Sequence, residues 1–421
     1  MENVLLNELI KNSAEVYKNT SELGASYNDA MKSALEKFKV LGIPTKKNED
    51  WIYTNISKNL APRFFARNSE IVHDIPSQVI DKRGMIILNN GVFNRHQSVL
   101  PDGIIIDQQR PTTDFFDSFD TLNFSVSMSP LFLKIKKNTV INFPITIIHL
   151  VDDAGVNKII SPRITIIAEE FSRTSFAEIF TSTQNKFFQY TTNSSINFEL
   201  KDSSHVEHVK FQTEALASTH IGLTKAAVGK HANFKSMTMD LGIFTARHNI
   251  DITVTGVGGE THINGLFALN KSEHADFFTM INHQAAHTNS NQLFKGILAG
   301  ESHGAFTGKI NIAKDAQLVN SNQLNKNLML SKKAHIDTRP QLMVAADDVK
   351  CAHGATIGQL SPEEEFYLES RGIKKDKAKR MLCHGFAMDV LFLIENKEIQ
   401  DLAVKLLAED FEQTALSEMT L

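Results

Sequence analysis

The chain has 421 residues and two cysteines, with 44 Lys+Arg against 48 Asp+Glu, giving a formal charge of −4 and a pI near 6.5. That length allows two or three structural units around a large core, and the balanced charge lacks the positive field that nucleic-acid binding needs. Cys351 and Cys383 exclude a disulfide framework, and neither lies in a C-x-x-C pair, so one chain cannot build a zinc or iron–sulfur site from cysteines alone.

The opening Met1-Glu2-Asn3-Val4-Leu5-Leu6-Asn7-Glu8 has acids where a secretory signal needs a basic region, and no window approaches 18 uninterrupted apolar residues. A cytoplasmic protein that crosses no membrane is expected. Residues 1–65 read as an N-terminal helical segment. Leu5, Leu6, Leu9 and Ile10 keep one face, as do Ala30, Met31, Ala34, Leu35, Phe38 and Leu41, and Gly42-Ile43-Pro44 stops the second run. The stretch from Pro44 to Thr54 holds the only Trp and is too polar for a core strand. Residues 66–130 form a mixed connecting segment.

From Leu131 the hydrophobic period changes from 3.6 to 2, and residues 131–358 read as a β core. The alternating runs include 131–136, 139–148, 164–167, 196–200, 250–254, 309–312 and 342–344. Similar turns precede many of them, with Ala275 and Ala305 30 apart and Ala316 and Ala334 18 apart. Imperfect repetition over so long a β stretch suggests a solenoid whose coils share one core, although a sandwich or jelly roll explains the same alternation. The 28 Phe against 5 Tyr and 1 Trp read as core filling. The many Asn near strands suit left-handed turns or amide ladders between coils. His231, His274, His303 and His335 read as turn residues rather than metal ligands.

Residues 359–421 return to helical periodicity. Ser361-Pro362-Glu363-Glu364 is a capped start that Gly372 ends; a second helix begins near Lys375 and a third near Lys397. Cys383 falls on an apolar stripe and reads as core.

One cluster suggests chemistry, Asp347-Asp348-Val349-Lys350-Cys351-Ala352-His353-Gly354. On a strand, residues i and i+2 share a face, so Cys351 and His353 present a thiol and an imidazole together. That is a soft half-site suited to zinc, copper or an iron–sulfur cluster, two donors short of a shell. The bland alternative is a small buried cysteine beside a turn histidine.

Cys351-Ala352-His353-Gly354-Ala355-Thr356-Ile357-Gly358-Gln359-Leu360, followed by Glu365-Phe366-Tyr367-Leu368-Glu369-Ser370-Arg371-Gly372-Ile373, resembles the C-terminal signature of the SufB/SufD family of iron–sulfur cluster assembly proteins. Asn289–Leu298, Gly304–Ile310 and Glu49-Asp50-Trp51-Ile52-Tyr53-Thr54 resemble other family segments, with Ile52 where Lys is usual and Ala352 where Ser is usual. No cysteine precedes Cys351, and the Cys-x-His-Gly form is that of the SufD branch rather than the SufB branch.

The resemblance implies a mainly β fold, a right-handed parallel β-helix between helical segments, without enzymatic turnover. It implies pairing with SufB through the β-helix and with the SufC ATPase through the C-terminal helices, around Phe366, Tyr367 and Arg371. His353 and Cys351 would then help hold iron or a transient iron–sulfur cluster shared with SufB, with no cofactor permanently bound. Self-pairing of the isolated chain stays open, and no motif supports flavin binding. The chain has no G-x-x-x-x-G-K-[ST] phosphate loop, so ATP would be hydrolysed by the partner. Two competing readings are a SufB-like scaffold holding a cluster on its own residues and a carbohydrate-active β-helix enzyme. Scarce thiols oppose the first; the second would need paired acids and aromatic platforms.

Overall fold

Each strand of the β core pairs in parallel with the strand two places along the chain, not with its neighbour in sequence. Thr191–Leu200 pairs with Thr219–Val228, and that strand with Thr245–Val254. The computed structural model describes residues 2–16, 23–60, 64–66, 80–108, 110–112, 114–183 and 188–413. Part of the expected connecting segment, 67–79, and the end of the C-terminal segment, 414–421, lie outside those residues.

This pairing winds the chain into a parallel β-helix with two facing sheets of 11 and 10 strands, which decides against a sandwich. From Leu131 on, one coil advances the register by as few as 26 residues, Thr219 to Thr245, and as many as 33, Leu131 to Ile164. The alanine spacings of 30 and 18 are therefore about one coil and about half of one. Variable corners explain why the repeat is imperfect in sequence.

The sheets also draw on strands before Leu131. Met85–Asn89 pairs in parallel with Ile145–Val151. The run expected from Thr139 becomes a strand only at Ile145. Asn138 turns with φ 61°, Pro144 cannot donate to a ladder, and Val140 makes only an isolated bridge to Arg173.

Inside the helix, alternate residues of both sheets form one apolar column. Phe176, Phe198 and Phe234 stack ring against ring at 6.1 and 5.1 Å, and Phe277, Phe294 and Phe306 continue at 5.6 and 4.7 Å. The Phe excess is core filling, each buried ring contributing about 1.5–3 kcal/mol. Polar residues enter this interior in hydrogen-bonded groups, although His149 Nδ1 and His248 Nδ1 stay without a partner. Glu178 accepts from His149 at 2.9 Å and His208 at 3.0 Å, His220 meets Glu214 at 2.7 Å, and His248 meets Asp240 at 2.8 Å.

The two helical segments cover opposite outer faces. The first helices, Glu2–Val16 and Ala25–Leu41, pack with Trp51 and Phe119 over Ile159 and Ile221. The last two, Lys375–Leu391 and Lys397–Gln413, lay Cys383, Val390, Ile399 and Leu407 on Val209, Phe211, Met239 and Leu266 of the other sheet. Lys295 pins this contact by donating to Asp389 at 2.6 Å and to the Phe386 carbonyl at 2.7 Å. No described helix is long and apolar enough to cross a membrane.

Corner chemistry departs from expectation. Of the four histidines read as turn residues, only His231 sits in a left-handed corner, with φ 53°; His274, His303 and His335 each begin a strand. Asn occupies left-handed positions early, at Asn90, Asn138 and Asn157, but in the later coils it lies within strands. There it forms the expected amide ladders, with Asn311 donating to Asn282 at 2.7 Å and Gln292 to Gln323 at 3.2 Å.

Candidate functional site

Val349–Gly358 is the last strand of its sheet and pairs only with Val319–Met329 among the described residues. His335–Val344 closes the other sheet in the same way. Both strands are ten residues long, and together they leave the end of the solenoid open. Pro340, which has no N–H to offer, sits in one of these edges, the place where a sheet tolerates proline.

Register decides where the chemical pair lies. Cys351 stands opposite Ser321 and His353 opposite Gln323. Ser321 and Gln323 line the interior, each about 1% exposed. They continue columns from earlier coils: Ser290 to Ser321 at 2.6 Å, and Thr279 to Gln292 at 2.8 Å before Gln323. Gly308 makes room for Gln323, since a Cβ there would come within 2.4 Å of its amide nitrogen. Cys351 and His353 thus occupy the interior row of a coil with no further strand stacked on it among the described residues. The structure brings them to one face, with Cys351 half-buried against the apolar column and His353 exposed.

The donor chemistry is that of a half-site. Burial raises the Cys351 thiol above its ordinary value, against a hydrogen bond from the Ser321 backbone that lowers it. Burial thus favours the thiol over the thiolate. Among the described residues, neither Cys351 nor His353 belongs to a group of three His, Cys, Asp or Glu donors close enough to share an ion. Both cysteines are free, and Cys383 is buried under the C-terminal helices, where burial pushes its thiol up to about 12. It is the core residue expected.

Phe366, Tyr367 and Arg371 lie apart from this pair, on and just after the helix Pro362–Ser370. Ser361 caps that helix, accepting from the Glu364 N–H at 3.2 Å, and no residue of it is buried. Phe366 is 71% and Tyr367 57% exposed, and the Arg371 guanidinium stands 5.3 Å from the Tyr367 ring. Two large aromatics left in water on a helix joined to the last coil form an unpartnered surface. Trp51, by contrast, is buried against Phe119 under the Arg247 guanidinium, so it is no sugar platform.

Pattern reading missed the buried ion network of the early coils, because its members alternate with apolar residues as ordinary strand positions do. It also missed how the Glu49–Thr54 segment straps the outer face of one sheet. Glu49 reaches Arg339 and Asp50 reaches Lys309, both at 2.5 Å, and Thr54 donates to Asp276 at 2.5 Å. The polarity that disqualified this stretch as a core strand was the available signal.

Comparison with known proteins gives two family matches in succession along the chain. Residues 149–386 match the family described as SUF system FeS cluster assembly, SufBD core domain, and residues 5–112 match the SufBD protein N-terminal region. An iron-sulfur cluster assembly SufBD family protein of Synechocystis is 29% identical over 388 residues, covering 86% of each chain. The iron-sulfur cluster assembly protein SufD of Escherichia coli is 27% identical over 371 residues, covering 85% of this chain and 86% of its own. The chloroplastic protein ABCI7 of Arabidopsis thaliana is 26% identical, covering 86% of this chain and 81% of its own.

Proposed function

The chain belongs to the SufBD family of the SUF system for iron–sulfur cluster assembly, and we propose that it serves there as a SufD-like scaffold subunit without turnover of its own. Its partners in this reading are SufB at the open end of the β-helix and the SufC ATPase at the C-terminal helices. The cargo is iron or a nascent cluster held between two chains. The observation that carries the reading is the placement of Cys351 and His353 on the interior row of an uncovered coil.

Two unpaired ten-residue edges are a template for main-chain pairing with a second β-helix. Such docking brings donors from the partner to Cys351 and His353, supplying what one chain lacks. A thiol that is protonated while free and ionised by the arriving metal suits transient holding rather than permanent ligation. The exposed Phe366 and Tyr367 offer the aromatic anchors that dominate docking energies. Because the last two helices grip the outer face of the solenoid through Lys295, a pull on them by an ATP-driven partner is transmitted to the sheet that carries Cys351.

The test is co-expression with SufB, SufC and a sulfur donor, followed by iron and sulfide analysis of the purified complex. His353→Ala should leave the complex assembled but reduce its iron and sulfide. Unchanged iron and sulfide would remove His353 from the ligand set, and loss of the complex would make it an interface residue instead.

A further inference from the structure

The strands His274–His283, His303–Ile312 and His335–Val344 start in register, so His274, His303 and His335 stand directly opposite one another. In-register strands about 4.8 Å apart stack identical side chains, and here the imidazoles form a column, with ring centroids 4.7 and 5.3 Å apart. Two residues farther along, the row reads Asp276, Ala305, Asp337. The small Ala305 leaves room for the Asp337 carboxylate to lean across the coil. Its Oδ2 lies 2.8 Å from His303 Nε2 and 3.4 Å from His335 Nε2.

We propose that His303, His335 and Asp337 form a binding site for a divalent first-row transition-metal ion, on the outer face of the solenoid and separate from the Cys351/His353 pair. Metal–ligand bonds of about 2.0–2.2 Å at octahedral to tetrahedral angles place neighbouring ligand atoms about 2.8–3.6 Å apart, a range that takes in both His–Asp separations. All three ligand atoms lie within 4.8 Å of one another, so only the two imidazoles must close up. His335 is free to do so, its side chain being 67% exposed. Two imidazoles and one carboxylate on one side leave the remaining positions open, the arrangement that suits Fe(II) and its neighbours rather than a closed structural zinc.

His274 backs the column, with its Nδ1 3.0 Å from the His303 carbonyl oxygen. The N-terminal strap walls one side through the Glu49–Arg339 contact, while His335 and the third side face solvent. The site lies on the first sheet and the Cys351/His353 pair on the second, so each can be removed without touching the other.

The experiment is a Co(II) titration of the full-length chain under anaerobic, reducing conditions, read by visible d–d absorption and by metal analysis after gel filtration, with Fe(II) competing. One equivalent is expected, displaced by excess Fe(II), and weakened more than about 10-fold in both His335→Ala and Asp337→Asn. The Cys351→Ala/His353→Ala double variant should keep it. Because His335 is exposed, His335→Ala carries the test if Asp337→Asn fails to fold, with circular dichroism as the check. Absence of binding would overturn the proposal, as would binding that survives His335→Ala. A thiolate charge-transfer band lost in the double variant would assign the ion to the terminal pair instead.

Discussion

Ser321 and Cys351 occupy the same register position one coil apart, as do Gln323 and His353. Ser321 and Gln323 are about 1% exposed and hydrogen-bonded into columns that run back through Ser290 and Gln292. Among the described residues, Cys351 and His353 have a strand neighbour on one side only. An interior position becomes an accessible one when the stack ends, because the next coil would have supplied both burial and hydrogen-bond partners. The middle coils hold the fold, and in the proposed function the last coil leaves donors for a partner to complete.

Substitutions can break or sharpen that contrast. In the middle coils, Phe277→Ala empties a column with Phe267 at 5.4 Å and Phe294 at 5.6 Å, and should lower unfolding stability by about 3–5 kcal/mol in a urea titration.

Glu178→Gln should cost about 1–3 kcal/mol by weakening two buried imidazole contacts. Burial works to raise the Glu178 pKa, but the hydrogen bonds from His149 and His208 outweigh it and hold the carboxyl well below the usual range. A depressed carboxyl stabilises the fold above its unfolded pKa, about 4.3, and loses that contribution as pH falls toward the folded value. The wild-type urea midpoint should therefore drop more steeply below pH 4 than that of Glu178→Gln; parallel curves would contradict the network's role.

At the open end the effects should move from stability to binding. Phe366→Ala should leave the thermal midpoint unchanged, yet weaken the proposed association with the SufC ATPase by about 1–2 kcal/mol, read by calorimetry. The smallest stability effects belong to the terminal pair. Cys351→Ala should cost less than about 1 kcal/mol, and His353→Ala should stay within about 0.5 kcal/mol. A loss of several kcal/mol at either would mean that the last coil is covered in the free chain.

Much of this was legible residue by residue. The capped helix after Ser361, the Gly42 stop, the Phe-rich core and the pairing of Cys351 with His353 on one face all follow from local periods and special residues. The family resemblance rested on contiguous segments, which the two family matches cover in large part. Histidines before alternating runs looked alike in one dimension, yet His231 is a left-handed corner and His303 a strand residue facing Asp337. Their difference depends on partners 29 or 32 residues away in register, and corner lengths vary too much for spacing to reveal it.

By itself the amino-acid sequence determined the alternation, the helix ends, the shortage of thiols and the sharing of one strand face by Cys351 and His353, because each depends on residue identity or on neighbours within a turn or a strand. Only the tertiary structure decided which donors are covered, which coil is last in the stack, and which outer face each helical pair protects. Those are properties of register between coils, where one residue of slip would exchange interior for exterior.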